Sequence, residues 1–313
     1  MIDVIAIGEL LIDFTPSAIG GEAGFLPKPG GAPANVAATV SKLGGNSAFI
    51  GKVGRDPFGQ LLKGVLDKER VDTSGLVFDE TAPTTIAFVH LDARGERSFS
   101  FYRRHCADTL LSIDELNLSI IQQSKVLCFG SVCLTDSPVK EAVLYAAQYA
   151  KNHGILTGFD PNYRPFLWGS QDEAAAAILE GLRLADIVKV SGEEMTLITG
   201  EKNLSEGTKI IADYGAKLVA VTLGADGSYF RYGETAASVP GVHVQTVDTN
   251  GAGDAFFGGL LYKLTRAENP LQQTETEIEN AIRFANIAGA LTTTKHGAIS
   301  AIPTLEEVQS NLT

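Results

Sequence analysis

The sequence predicts an α/β fold, doubly wound about a mostly parallel sheet, on three observations. Short apolar runs recur without polar alternation, segments of helical spacing lie between several of them, and one stretch alternates instead. The runs are 4–8, 47–51, 125–130, 155–160, 187–191 and 217–224. They are continuous because a strand covered by helices on both faces has no wet side. Between them, residues 33–43 set Val36, Ala37, Val40 and Leu43 on one face before Gly44 and Gly45 stop the helix. Leu61, Leu62, Val65 and Leu66 form the stripe of 59–70, and 138–152 opens with Pro138 and ends before Gly154. The exception is 84–91 with 97–103, two antiparallel strands joined by a polar turn at Arg94 and Gly95. In the second strand Phe99 and Phe101 share a face, with Ser98, Ser100 and Tyr102 on the other. There is no Pro/Ser-rich linker, low-complexity tract or repeat, so one domain, residues 1–313, with a small lid is expected.

Length and composition narrow the function. The 313 residues suit one large α/β domain or two modest ones, and a 44% hydrophobic content suffices for a core. With 37 acidic against 25 basic residues the net charge is −12, which lacks the positive field that nucleic-acid binding needs. ATP stays compatible, because local amides and a few cations hold a nucleotide. Cys106, Cys128 and Cys133 form no CxxC pair, and read as reduced thiols rather than a disulfide or zinc framework. The opening MIDVIAIGELLIDF has no basic start and reads as a first core strand rather than a signal peptide. No apolar run approaches the roughly 18 residues of a membrane span, so a cytoplasmic protein with no membrane partner is expected.

Four segments carry chemistry. In 248–261, DTNGAGDAFFGGLL, a glycine-rich turn leads directly into a helix. Gly251, Ala252 and Gly253 let their amides approach an anion, and the helix start adds free N–H groups and a positive dipole end. Asp254, at the same start, is expected to stay ionised by that dipole and to accept a proton from a hydroxyl while the amides stabilise a phosphoryl group. Taken alone, the segment serves equally as a plain capped helix. Gly258 and Gly259, one turn on, would let the helix pack tightly. In 30–35, GGAPAN, two glycines permit close backbone approach, and Asn35 both donates and accepts, although a loop feeding a helix has the same look. Asp13 lies in the apolar run LLIDF, where a carboxylate costs desolvation unless it is paired, functional or at an exposed strand end. In 221–228, VTLGADGS, Thr222, Gly224 and Gly227 suit either a nucleotide pocket at the carboxyl edge of the sheet or a bare hairpin turn. Missing motifs remove other classes: no Walker A, no glycine fingerprint after the first strand, no HExxH and no GxSxG.

GGAPAN and DTNGAGDAFFGG together resemble the two signatures of the ribokinase-like (PfkB) carbohydrate kinases, and the resemblance runs essentially the whole chain. GELLIDF (8–14), LGGNSAFIGKVGRDPFG (43–59), FYR (101–103), DPNYR (160–164) and VDTNGAGDAF (247–256) are closest to its fructokinase branch. The resemblance implies an αβα sandwich, a β-sheet lid at about 12–26 and 82–104, and phosphoryl transfer from MgATP to a sugar hydroxyl. By position it implies Asp254 as base and 251–253 as anion hole. Asp13, Gly30, Gly31, Asn35, Phe101, Arg103 and Arg164 would meet the sugar. Lys189, Ser191, Thr222, Gly224, Gly227 and Asn286 would line the nucleotide pocket. Glu194 would serve Mg2+, through water, and Asp248–Asn250 facing 292–301 would hold K+. The sequence departs from the family in two places: Ser191 stands for Asn in the Asn-x-x-Glu motif, and DTN replaces the commoner DTT. The reading is thus a fructokinase, with a 2-keto-3-deoxygluconate kinase of the same fold as nearest rival. A non-catalytic sugar- or nucleotide-binding module is the rival of another class. A homodimer through the apolar face of the lid strands, Phe99 and Phe101, is expected.

Overall fold

A computed structural model describes residues 1–19, 22–91 and 97–312, so the turn expected at Arg94 and Gly95 lies outside the described residues. Thirteen strands are described: β1 Ile2–Ile7, β2 Leu11–Ile19, β3 Glu22–Gly30, β4 Ser47–Gly54, β5 Asp72–Asp79, β6 Ile86–Leu91, β7 Arg97–Tyr102, β8 Ser124–Gly130, β9 Leu156–Asp160, β10 Ile187–Ser191, β11 Leu218–Thr222, β12 Gly227–Tyr232 and β13 Thr235–Pro240. The helices are α1 Ala32–Lys42, α2 Pro57–Lys68, α3 Leu118–Ile121, α4 Val139–Asn152, α5 Gln171–Leu182, α6 Gly192–Thr199, α7 Leu204–Asp213, α8 Ala252–Leu264, α9 Glu275–Thr292 and α10 Leu305–Gln309.

Nine strands form one sheet in the order β13-β12-β11-β10-β9-β8-β1-β4-β5, parallel from β11 to β5 and closed at the other edge by the antiparallel β12 and β13. The continuous apolar runs have the expected cause. Along β1, Val4 and Ala6 join the core shared with α1, α8 and α9, while Ile5 and Ile7 join the core shared with α4 and α5 on the other face. All four side chains are fully buried, and Val4, Ile5 and Ile7 are each worth on the order of 1–3 kcal/mol.

Helix boundaries follow local chemistry that apolar stripes do not report. Helix α2 begins at Pro57, two residues before the expected 59, because the Asp56 side chain accepts the Gly59 amide and Pro57 suits the first helical position. Helix α8 lies deep in the molecule, with Gly258 and Gly259 serving close packing. A Cβ on Gly258 would fall 2.6 Å from Thr39 Cβ of α1, and one on Gly259 would fall 3.1 Å from Ala288 Cβ of α9.

A second sheet, β3-β2-β6-β7, stands apart from the first and draws its strands from 11–19, 22–30, 86–91 and 97–102, where lid segments were expected at 12–26 and 82–104. Its β2 and β6 run parallel, and the other two pairings are antiparallel. One face carries stacked aromatics: Phe14 lies 5.0 Å from Phe88, and Phe25 and Tyr102 meet Phe88 edge-on. The expectation about the apolar face is corrected here for Phe101, while the Phe99 side chain lies outside what is described. Phe101 looks into a cleft under the sheet and packs against Phe166 at 5.1 Å, so the exposed apolar face is the opposite one, with Phe25 40% and Tyr102 61% exposed. The period of two fixed which residues share a side, but not which side meets the rest of the molecule.

Candidate active site

Two clefts open at the carboxyl edge of the large sheet and meet on opposite sides of one turn. Gly251 begins that turn in the left-handed region, φ 74°, and caps α8, with Ala298 so close that a Cβ there would lie 2.8 Å from Ala298 Cβ. Gly251 and Asp254 line the first cleft, whereas Ala252 and Gly253 line the second.

The first cleft is acidic and hydroxyl-friendly. Asp254 is 8% exposed, and its Oδ2 accepts the Asn35 Nδ2 amide at 2.7 Å while Oδ1 accepts Asn162 Nδ2 at 3.3 Å. Burial raises its pKa, and Asn35, Lys189 and Arg164 draw it partly back, so the helix dipole is not the deciding influence the sequence suggested. A raised value makes Asp254 a better proton acceptor once ionised. Asp13 reaches the same cleft from β2, and burial lifts it to about 6, against the pull of Arg164 and with a push from Asp254. Gly30 leaves room for it, because a Cβ there would fall 2.5 Å from Asp13 Oδ2. Gly31, at φ 116°, passes so near the Glu9 carbonyl that a Cβ would lie 2.4 Å from that oxygen. Asn35 Oδ1 is buried with no protein partner, an acceptor open to a hydroxyl. Phe101, Arg164 and Asn250 complete the predicted residues along this cleft.

Arg103 is not among them. Its guanidinium is 5% exposed, donating from Nε to Asp108 at 2.7 Å and from Nη1 to Thr135 Oγ1 at 2.6 Å. Strand β7 ends at Tyr102, so Arg103 escapes the alternation that would have turned it toward the cleft with Phe101. Glu9, which the sequence reading did not single out, lies on the cleft floor. Burial raises its pKa to about 7, and it accepts the Ala32 amide at 3.1 Å.

Thr222, Gly224, Gly227 and Asn286 line the second cleft. Asn286 donates to the Val239 and Pro240 carbonyls, and Gly227, at φ 97°, passes β13 where a Cβ would sit 2.3 Å from the Val239 carbonyl oxygen. The segment 221–228 is therefore both the hairpin turn between β11 and β12 and the wall of a cleft. His243 and Phe256 also line it, and no sequence signal marked them.

Lys189 sits beneath the turn, its Nζ 2.8 Å from where a Gly253 Cβ would be and 2.9 Å from Asp160 Oδ2. Ser191 and Glu194 cap α6 reciprocally. Glu194 accepts the Ser191 amide with Oε2 at 2.7 Å and the Tyr163 amide with Oε1 at 2.7 Å, which pins the 160–164 loop to α6. Asp248 accepts the amides of Asn250 at 2.9 Å and Gly297 at 3.0 Å, and Val247 and Asp248 both donate to the Thr293 carbonyl. The two segments expected to flank K+ are thus neighbours.

A family model described as pfkB family carbohydrate kinase matches residues 1–305. The chain belongs to that family. It is 45% identical over 306 residues to a probable fructokinase-2 of Arabidopsis thaliana, covering 96% of this chain and 93% of the relative. A fructokinase from Xylella fastidiosa, solved with bound ATP, superposes with a TM-score of 0.92 at 35% identity, over 99% of this chain and 98% of that one. A double-mutant fructokinase from Vibrio cholerae O395, in fructose, ADP and potassium ion bound form, gives 0.91 at 37% identity with the same coverage. As a pfkB carbohydrate kinase the chain is a sugar phosphotransferase. No helix of the described residues is long and apolar enough to cross a membrane.

Proposed function

We propose that this kinase transfers the γ-phosphoryl group of ATP to the 6-hydroxyl of D-fructose, with Asp254 as base. One observation carries the mechanism: a single turn, 251–254, divides the two clefts, with Gly251 and the Asp254 carboxylate on one side and Ala252 and Gly253 on the other. Fructose in the first cleft would donate hydroxyls to Asp13 and Asn35 Oδ1. ATP in the second would run along Gly224 and Gly227, bringing its phosphates to the amides of 251–253 with Lys189 below. The attacking oxygen and the phosphorus would then meet across the turn. Because phosphoryl-transfer transition states are loose, the hydroxyl proton moves late and a carboxylate is base enough. The amides and Lys189 counter the charge gathering on the phosphoryl oxygens. The choice of fructose is supported by the relatives and solved neighbours named above.

The residues fit a magnesium ion that arrives with its nucleotide. Among the described residues no three His, Cys, Asp or Glu side chains gather as a cage. Magnesium commonly keeps several waters and takes phosphate oxygens as ligands. Glu194, with each oxygen already accepting one amide, retains lone pairs for a water of such an ion; the ion would neutralise phosphate charge. For K+ we propose the junction of 248–250 with 293–298, supported by the paired backbone there and by the potassium-bound neighbour. We also propose that the chain is one domain whose four-stranded sheet acts as a lid over the sugar, excluding water. A cytoplasmic location is in keeping with the three buried free cysteines.

The test is ADP release with MgATP over fructose, ribose, glucose, adenosine and 2-keto-3-deoxygluconate, with and without potassium, for the parent and Asp254→Asn. The parent should prefer fructose, and the variant should lose at least about a thousandfold in kcat while still binding fructose. Preference for the keto acid would transfer the reading to the rival substrate. Turnover surviving in Asp254→Asn would refute the base.

A further inference from the structure

Asp254 is gripped from two sides, and only one grip belongs to the two sequence signatures. Asn35 holds Oδ2 from α1; Asn162, on the loop after β9, holds Oδ1. Asn162 has φ 46°, one of three non-glycine residues in the left-handed region among the described residues. Such a backbone persists where its surroundings enforce it, and it concentrates at sites with a task. The enforcement here is explicit. The Asn162 amide donates to Asp160 Oδ1 at 3.1 Å, Asp160 Oδ2 takes Lys189 Nζ at 2.9 Å, and the next amide, Tyr163 N, donates to Glu194 Oε1 at 2.7 Å. Asp160 and Lys189 are 4% and 6% exposed, so the anchors are themselves held.

A turn alone would not need this residue, since glycine adopts φ 46° more readily and removes the strain. What glycine lacks is the side-chain amide, and that amide ends on the base. We propose that Asn162 is a positioning residue for phosphoryl transfer, its amide fixing the Asp254 carboxylate in the orientation that meets the sugar hydroxyl. The inference rests on Asp254 being the base. With Asn35 on one oxygen and Asn162 on the other, the carboxylate cannot rotate about its Cβ–Cγ bond without losing a hydrogen bond, so the acceptor lone pairs point where the structure aims them. Asp160 gives the loop a second connection: the carboxylate that shapes Asn162 also orients the lysine under the phosphate turn, so both halves of the site share one anchor.

Asn162→Gly separates the amide from the turn. Loss of a hydrogen bond to a charged group predicts a kcat lower by about ten- to a hundredfold, with KM for fructose and ATP within about twofold. Melting temperature should stay within a few degrees of the parent, because relief of the strained backbone offsets the lost hydrogen bond. The acid limb of the kcat–pH profile should move to higher pH, since a donor to the ionised carboxylate is gone. The charges facing Asp254 are unchanged in the variant: Lys189 on β10, Asp160 and Arg164 flanking the loop, Glu194 on α6 and Asp13 on β2. Asn162→Asp keeps a residue tolerant of the left-handed region but sets an acceptor against Asp254, and should lose more activity than the glycine variant. Parental kcat with an unmoved acid limb in Asn162→Gly, or a kcat loss that merely tracks a fall in melting temperature in both variants, overturns the proposal. An inactive Asp254→Asn beside a fully active Asn162→Gly defeats this inference alone, whereas an active Asp254→Asn defeats the base itself.

Discussion

Gly253→Ala asks the most of the geometry. The new methyl would stand 2.8 Å from Lys189 Nζ, whereas non-bonded heavy atoms settle at about 3.5 Å or beyond. Lys189 must therefore withdraw by roughly 0.7 Å, and it is bound to Asp160 at 2.9 Å with both side chains buried. Stretching that pair from 2.9 Å to about 3.6 Å at an effective dielectric near 20 forfeits on the order of 1 kcal/mol. Replacing glycine by alanine within a helix returns about 0.5–1 kcal/mol. The two nearly cancel, so the melting temperature should stay within a few degrees of the parent. Activity should not survive so well. The methyl stands on the Lys189 side of the turn and pushes back the cation that is to counter the phosphoryl charge, and loss of one such donor costs about a hundred- to a thousandfold in kcat. Steady-state ADP release with saturating fructose, paired with thermal melts, reads both quantities. A folded Gly253→Ala with kcat within threefold of the parent would refute the anion hole at 251–253.

Two further expectations concern the small sheet. Asp13 has a pKa raised from 3.8 to about 6, so its contribution to stability is complete below 3.8 and is lost as pH rises through 6. Sugar hydroxyls donate to the ionised form, so the sign for binding is opposite: affinity for fructose should rise with pH and level off above about 6. Titration calorimetry at pH 5 and 7.5 should differ about tenfold, and pH-independent affinity would remove ionised Asp13 from the sugar site. A homodimer is proposed through the aromatic face with Phe25 and Tyr102, exposed 40% and 61%. Sedimentation equilibrium should give twice the protomer mass, falling to one for Phe25→Glu; a monomeric parent would refute it.

The parallel sheet was legible because a strand buried on both faces leaves an uninterrupted apolar run, and β10 at 187–191 coincides with its run residue for residue. The turn at 251–254 was legible because DTNGAGDAFFGG occurs together with GGAPAN as the second of two family signatures, since alone it reads equally as a plain capped helix. Contacts between distant positions were not. Asn35 and Asp254 stand 219 residues apart, Asn162 and Asp254 92 apart, and a lone asparagine carries no mark of its partner. Glu9 escaped for a similar reason: its burial depends on α1 and on Cys133 folding over it. Arg103 was assigned to the sugar by the resemblance that FYR (101–103) carries, whereas its guanidinium is paired with Asp108 from the loop beyond, a partner that the motif does not mark.

Only three residues, 8–10, separate β1 from β2, and only Gly31 separates β3 from α1. The hairpin with Asp13 on one arm and Gly30 at the end of the other is thus tethered closely at both feet, one of them leading directly into α1, which carries Asn35. Whatever displaces the hairpin also withdraws a carboxylate from the hexose. Under the proposed lid role the acceptor would be its own doorkeeper: each hydroxyl offered to Asp13 would draw the cover down, and a molecule too short to reach it would forfeit both its grip and its shelter from water.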